Sequence, residues 1–288
     1  ESDGCLRSCL SATSDNCVVH EPGGSSSTTQ CDDVGTLQHL RDEPRVLSTH
    51  DGIGCGVQYG YELAYSGQYL FVGAPYDDEV LQDAGAVHVY RRDDLGQFQP
   101  HQVLRPADLV KSNIFGLSIS VEGGRAVIGA PHIQHQTAHN ALYIYELQAD
   151  GFWTRVQRIG PESPQFPSDV VPSYFAKSVS LKGDRILVGA PLTHAGNVRE
   201  WGYAFIYERE ASGEWVKVAT IEADFDNFRQ RDSFFGWYVE LEHDVAYISS
   251  KQGVSNGFHQ GTVHIFRRES RVLWSERQVL HPPLVDAD

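Results

Sequence analysis

The chain has 288 residues, is 41% hydrophobic and carries a formal charge of −15. That length buries a substantial core in one or two domains. The surplus of carboxylates over Lys and Arg excludes nucleic acid or an anionic membrane as the main partner, because phosphate binding needs clustered cations, and no apolar run approaches the roughly 18 residues of a membrane-spanning helix.

In chain order, the first feature is a crowd of cysteines. Cys5, Cys9, Cys17 and Cys31 are followed by Cys55 and by none thereafter. This pattern predicts a disulfide-stapled N-terminal segment over residues 1–35 and an oxidising, secreted location. The spacing matches no zinc signature. Five cysteines leave one thiol free or paired with another chain, and the Glu1 start suggests a processed or excised chain.

From residue 59 the sequence repeats. YGYELAYSGQYLFVGAP (59–75), FGLSISVEGGRAVIGAP (115–131), FAKSVSLKGDRILVGAP (175–191) and FGWYVELEHDVAYISSK (235–251) are spaced by 56, 60 and 60 residues. Each is followed by an aromatic-ended run, GAVHVY, NALYIY, GYAFIY or GTVHIF, and then by an aromatic–aliphatic pair: Phe98 and Leu104, Trp153 and Ile159, Trp215 and Ile221, Trp274 and Leu280. A fixed period takes precedence over any other fold reading. Each unit contains four short runs rich in Val, Ile, Tyr and Phe; in the third they are Ala176–Leu181, Arg185–Gly189, Tyr203–Tyr207 and Trp215–Ile221. The second run is apolar on both faces, so its sheet must be covered on both sides. Small sheets packed radially on copies of themselves meet that demand, which predicts an all-β propeller over residues 36–288 with blades at about 59–104, 115–159, 175–221 and 235–280. Tight turns join the first and second strands and the third and fourth; the other connections are long. Alternate connections emerge on the same side, so one face carries short turns and the other the long loops, where recognition is expected.

Phe115-Gly116, Phe235-Gly236 and the Gly-Ala-Pro triplets at 73–75, 129–131 and 189–191 resemble the FG-GAP repeat of integrin α-chain propellers and of many secreted microbial and algal proteins. The resemblance implies a propeller and says little about activity. Integrin-type repeats often carry a calcium loop between the first two strands. Here those turns are too short to wrap an ion, so calcium is not carried over. Family propellers commonly have seven blades, which leaves three readings: a closed ring of four, a ring of five with an irregular blade from residues 31–58, or part of a larger propeller.

Candidate ligand-binding residues lie on the long loops. Tyr76, Asp77 and Asp78 follow the first Gly-Ala-Pro, and His194, Arg199 and Trp201 follow the third. Phe228, Arg229 and Arg231 lie between the third and fourth units, where aromatic and arginine side chains suit protein or glycan contact. His132, His135 and His139 place three imidazoles within eight residues and form the one candidate zinc site; the acidic loop offers at most weak calcium binding. No cofactor is expected. The recurrent Trp153, Trp215 and Trp274 read as packing residues because they share one register. No linear enzyme signature is present. The resulting expectation is a secreted, non-enzymatic module that binds an extracellular protein or glycan or self-assembles. The alternative is a carbohydrate-active enzyme, a polysaccharide lyase or hydrolase, with its site at the propeller axis. The two differ in one structural mark: an enzyme needs a pocket where Tyr or His meets carboxylates with perturbed pKa values.

Overall fold

The computed structural model describes residues 57–132, 139–160, 173–193, 201–222, 233–255 and 258–283, together with two N-terminal strands. The chain divides into two compact units, Glu1–Gly56 and Val57–Asp288. In the first, β1 (Asn16–His20) pairs antiparallel with β2 (Ser26–Gln30). The side chains of the five cysteines lie outside the described residues.

The second unit contains four antiparallel four-stranded sheets, each in simple up-and-down order. They are β3–β6 (Leu63–Ser66, Tyr69–Ala74, Ala86–Arg92, Phe98–Leu104) and β7–β10 (Ser118–Glu122, Arg125–Ala130, Ala141–Leu147, Trp153–Ile159). The third is β11–β14 (Ser178–Lys182, Arg185–Ala190, Tyr203–Arg209, Trp215–Ile221). The fourth is built from β15 (Phe235–Glu242), β16 (Val245–Ser250), β19 (Thr262–Arg268) and β20 (Trp274–Leu280), with the short pair β17 (Val254–Ser255) and β18 (Phe258–His259) in its long connection. A register shift recurs between the third and fourth strands of every blade, at Val89/Tyr90, Arg155/Gln157, Ile206/Tyr207 and Ile265/Phe266. Such a bulge increases local twist.

The first strand of the third blade begins at Ser178, two residues later than its sequence pattern predicts. Tyr174 and Ala176 occupy left-handed backbone conformations that break the ladder there. The equivalents of Ala176 are Gly60, Gly116 and Gly236, all at positive φ. Only the third blade has a residue with a Cβ at this position. Ala176→Gly is therefore expected to leave stability unchanged or raise it by up to about 1 kcal/mol, relief of strain being offset by unfolded-state entropy. Urea denaturation measures it, and a clear loss of stability would contradict the argument.

Successive blades pack through their inner strands, and the Gly of each Gly-Ala-Pro explains why. A Cβ at Gly73 would lie 2.3 Å from the Gly116 carbonyl oxygen; one at Gly129 would lie 2.1 Å from that of Ala176, and one at Gly189 2.1 Å from that of Gly236. The next blade's backbone rests directly on that α-carbon. Further stitches follow the same direction. The Ser120 and Ser180 hydroxyls accept hydrogen bonds from the Leu181 and Leu241 amides, and the Gln102 and Gln157 amide groups each clasp both backbone polar atoms of the next blade's tryptophan, Trp153 and Trp215. The three tryptophans are buried against the preceding blade, as their shared register predicts.

Those contacts do not continue around a closed ring among the described residues. Leu63 is 59% exposed, whereas its equivalents Ile119, Val179 and Val239 are 6–8% exposed. On the opposite flank Tyr247 is 39% exposed where Phe71, Val127 and Leu187 are fully buried. Ser249 replaces the contact glycine in this last blade, and its hydroxyl instead accepts a hydrogen bond from the Tyr238 amide.

Candidate functional site at the inner end of the blades

The short-turn face is an ion-pair lattice. Arg125 bonds the Gly183 carbonyl and Asp184, and Arg185 bonds the His243 carbonyl and Asp244, so each arginine reaches from its own blade to the next blade's turn. Arg185 and Arg268 share the Glu208 carboxylate. A hollow of about 500 Å³ on this face is lined by these same partners. Its charges are already matched, which gives it a cohesive role.

The opposite end is different. Tyr61, Leu117, Lys177 and Trp237 stand at equivalent positions, each directly after the second residue of its unit's opening motif. Side chains from the first, third and fourth blades converge there. Lys177 Nζ lies 4.9 Å from the Tyr238 ring and 5.3 Å from the Trp237 ring, and Lys251 Nζ lies 4.1 Å from Trp237 on its own account. Glu62 is close enough for its charge to act on Lys177, and Tyr61, Tyr76 and Tyr174 act on one another. Trp237, Tyr238, Lys251, Gln260, Thr262 and His281 line an adjoining groove of about 690 Å³, which is within the range of small-molecule sites.

Burial sets the protonation behaviour here. Desolvation pushes the Glu62 carboxyl above the ordinary carboxylate range, with Lys177 opposing it. Desolvation also holds the Lys177 amine below the usual lysine range; the Glu62 charge works the other way, and Lys251 reinforces the drop. Burial raises the Tyr174 phenol to about 12 and raises Tyr61 and Tyr76 as well. The site thus combines a carboxyl that keeps its proton to higher pH, a cation on aromatic faces, and a ring of protonated phenols. These groups can donate a proton, stabilise developing negative charge and stack against a sugar ring.

The residues expected from sequence distribute unevenly. Tyr76 joins this cluster. Asp77 is buried and ion-paired to Arg105 at 3.0 Å, with Glu79 on the same guanidinium, so it anchors its loop. Asp78 accepts the Asp83 amide in a local turn. Trp201 is half-buried, and its carbonyl oxygen accepts the Ser233 hydroxyl and the Phe235 amide. His194, Arg199, Phe228, Arg229 and Arg231 lie outside the described residues, as does His135. His132 is buried, and its ring centroid is 5.5 Å from that of His139. No group of three metal-ligating side chains occurs among the described residues.

Glu62, Lys177, Trp237, Tyr238 and Lys251 escaped the sequence reading. A signal for them exists: each departs from its repeat. Lys177 and Trp237 replace Tyr or Leu, Glu62 and Tyr238 replace Ser, and Lys251 replaces the proline of Gly-Ala-Pro. Residues that break a structural repeat without serving its packing mark where function has been added.

Residues 51–90, which include the opening motif and Gly-Ala-Pro of the first blade, match the FG-GAP repeat model. The match covers one of the four repeat units. No curated protein matches the chain. Among solved structures, the chain resembles the periplasmic gluconolactonase PpgL of Pseudomonas aeruginosa, at 16% identity and a TM-score of 0.50, over 78% of this chain and 58% of that one. A protein from Lactobacillus plantarum superposes at 11% identity and a TM-score of 0.49, over 83% and 60% of the two chains. The chain therefore spans less than two thirds of either neighbour's length. The first likeness establishes a shared fold. It also corrects the expectation of a non-enzymatic module, because that fold carries an enzyme in the Pseudomonas protein.

Proposed function

We propose that this protein is a carbohydrate-active enzyme, a hydrolase or lyase, with its site where the first, third and fourth blades converge. The observation that carries this reading is the coupled pair of Glu62, raised by burial, and Lys177, lowered by burial, beside the aromatic-lined groove. Perturbed titratable pairs in a concave site are the physical mark of acid–base chemistry. Glu62 serves as proton donor to a departing oxygen. Lys177 stabilises negative charge on the reacting centre, and Trp237 supplies a face for the sugar ring. The gluconolactonase neighbour supports a sugar-directed reaction on such a fold. Its periplasmic origin and the N-terminal cysteines support a location outside the cytoplasm.

Turnover of a panel of polysaccharides, oligosaccharides and sugar lactones tests the proposal. Glu62→Gln is expected to lower kcat by about 10²–10⁴-fold, the usual contribution of a positioned acid. The wild-type rate should fall as pH rises through the Glu62 pKa, because the reactive form is the protonated one. That fall should lie above the pH at which an ordinary glutamate titrates. Absence of turnover across the whole panel by the folded protein would sink the reading.

A further inference from the structure

We infer that the groove beside Trp237 takes a saccharide bearing a carboxylate, a uronate unit, with Lys177 and Lys251 as its counter-charges. This deepens the proposed carbohydrate reading and rests on it for the saccharide part.

Lys177 is only 7% exposed, yet its amine has neither an ion pair nor a hydrogen bond among the described residues. What surrounds it is aromatic: the faces of Tyr238 and Trp237, both of which line the groove. Most of the side chain is withdrawn from water, and a cation so placed is normally paired or neutralised. The arginines of the short-turn face follow that rule, with Arg125, Arg185 and Arg268 all held by carboxylates. Lys177 does not. Glu62 is within electrostatic reach but does not form a salt bridge with it, and burial weakens that carboxylate as a counter-ion by favouring its protonated form.

Lys251 repeats the arrangement from the solvent side. It is exposed, it lines the groove, and its ammonium sits over the same indole. Two cations therefore approach one aromatic plane in a protein whose overall charge is −15. Two ammoniums beside the one Glu62 carboxyl leave a local positive excess, and attraction to an anion is strongest where water is scarce. A sugar ring on Trp237 brings a ring carboxylate to this edge, with Gln260 and Thr262 in the same wall to meet hydroxyl groups. Carboxylated sugars satisfy both the indole and the ammoniums; neutral sugars satisfy only the indole.

Equilibrium binding of trigalacturonate and of its fully methyl-esterified form separates these contributions, measured calorimetrically on the full chain. The acid is expected to bind at least tenfold more tightly at low ionic strength, and that preference should shrink as salt screens the lysines. Lys251→Gln, an exposed substitution, should remove most of the preference while leaving ester binding in place. Lys177→Met should remove it as well, with circular dichroism checking the fold. Equal affinity for acid and ester, or binding of neither, would overturn the inference, and so would tighter binding of a sulfated trisaccharide than of the uronate. If the acid is preferred while no saccharide is turned over, the enzymatic reading fails and this one stands. If saccharides are turned over while acid and ester bind alike, the reverse holds.

Discussion

Gly189→Ala is expected to destabilise the propeller by roughly 3 kcal/mol or more, the upper range of single substitutions. The added methyl would lie 2.1 Å from the Gly236 carbonyl oxygen and 3.0 Å from its carbonyl carbon. Neither is the end of a flexible side chain. Both belong to the backbone that positions the next inner strand, so relief requires the fourth blade to move away from the third. That separation loosens the contacts of Leu187, Val239 and Leu241, which share one buried cluster, and it withdraws the Leu241 amide from Ser180. At this size each kcal/mol corresponds to about 2–4 °C, so the melting temperature should fall by about 10 °C. Two controls isolate the cause. Gly67→Ala places a Cβ in open space at positive φ, so it reports backbone strain alone and should cost about 1 kcal/mol. Ser249→Gly removes a side chain at the equivalent position of the fourth blade and should cost no more than its one hydrogen bond, about 1 kcal/mol. Urea melts of the three variants give the ranking, and a Gly189→Ala protein as stable as the Gly67→Ala one would refute the close-contact account.

Trp215→Ala should cost about 3–5 kcal/mol, the range for deleting a fully buried aromatic. Trp215 has no exposed surface and packs in a cluster that spans the second and third blades, including Val127, Leu142 and Trp215's own neighbour Tyr207. Arg125 lies 6.0 Å above its ring. The indole nitrogen is buried without a hydrogen-bond partner, so the side chain contributes through packing and its ring face and not through a hydrogen bond. Trp215→Phe should therefore cost much less, about 1–2 kcal/mol, since it removes volume without leaving a newly unpaired polar atom. The backbone clasp by Gln157 survives both changes, because it uses the main-chain N–H and C=O of residue 215. Thermal and urea unfolding measure the pair. Equal losses for Ala and Phe would mean that the indole N–H has a partner and that polar satisfaction, not packing, holds this position.

These two sites show which layer of the structure is open to sequence reading. Gly189 and Trp215 recur at fixed spacing, so the chain itself displays them as parts of one interface used three times. The clasping glutamines are less visible: Gln102 and Gln157 are ordinary polar residues in an outer strand until the next blade's backbone is placed beside them. The strand start at Ser178 was misjudged because alternation extends through Phe175 and Ala176, while left-handed backbone at Tyr174 and Ala176 delays the ladder. The long-loop face was also too coarse a guide. Asp77, chosen for its charge, turned inward to Arg105, whereas the convergent cluster lies at the inner strands' openings.

The amino-acid sequence alone determined the repeat, the all-β class, the four sheets and the division into a short-turn and a long-loop face. It could do so because inter-blade packing demands the same glycine, aromatic and aliphatic residues in every unit, and demands of that kind are written periodically. Tertiary structure decided two further matters. Among the described residues it left Leu63 of the first blade and Tyr247 of the fourth exposed while their equivalents in the other blades are buried. It also brought Glu62, Lys177, Trp237 and Lys251 together from three blades, with Glu62 more than 100 residues before the others. Radial packing places the same end of every inner strand around one centre. Residues with no relation in sequence become neighbours there, and burial at that centre shifts the proton affinities of Glu62 and Lys177.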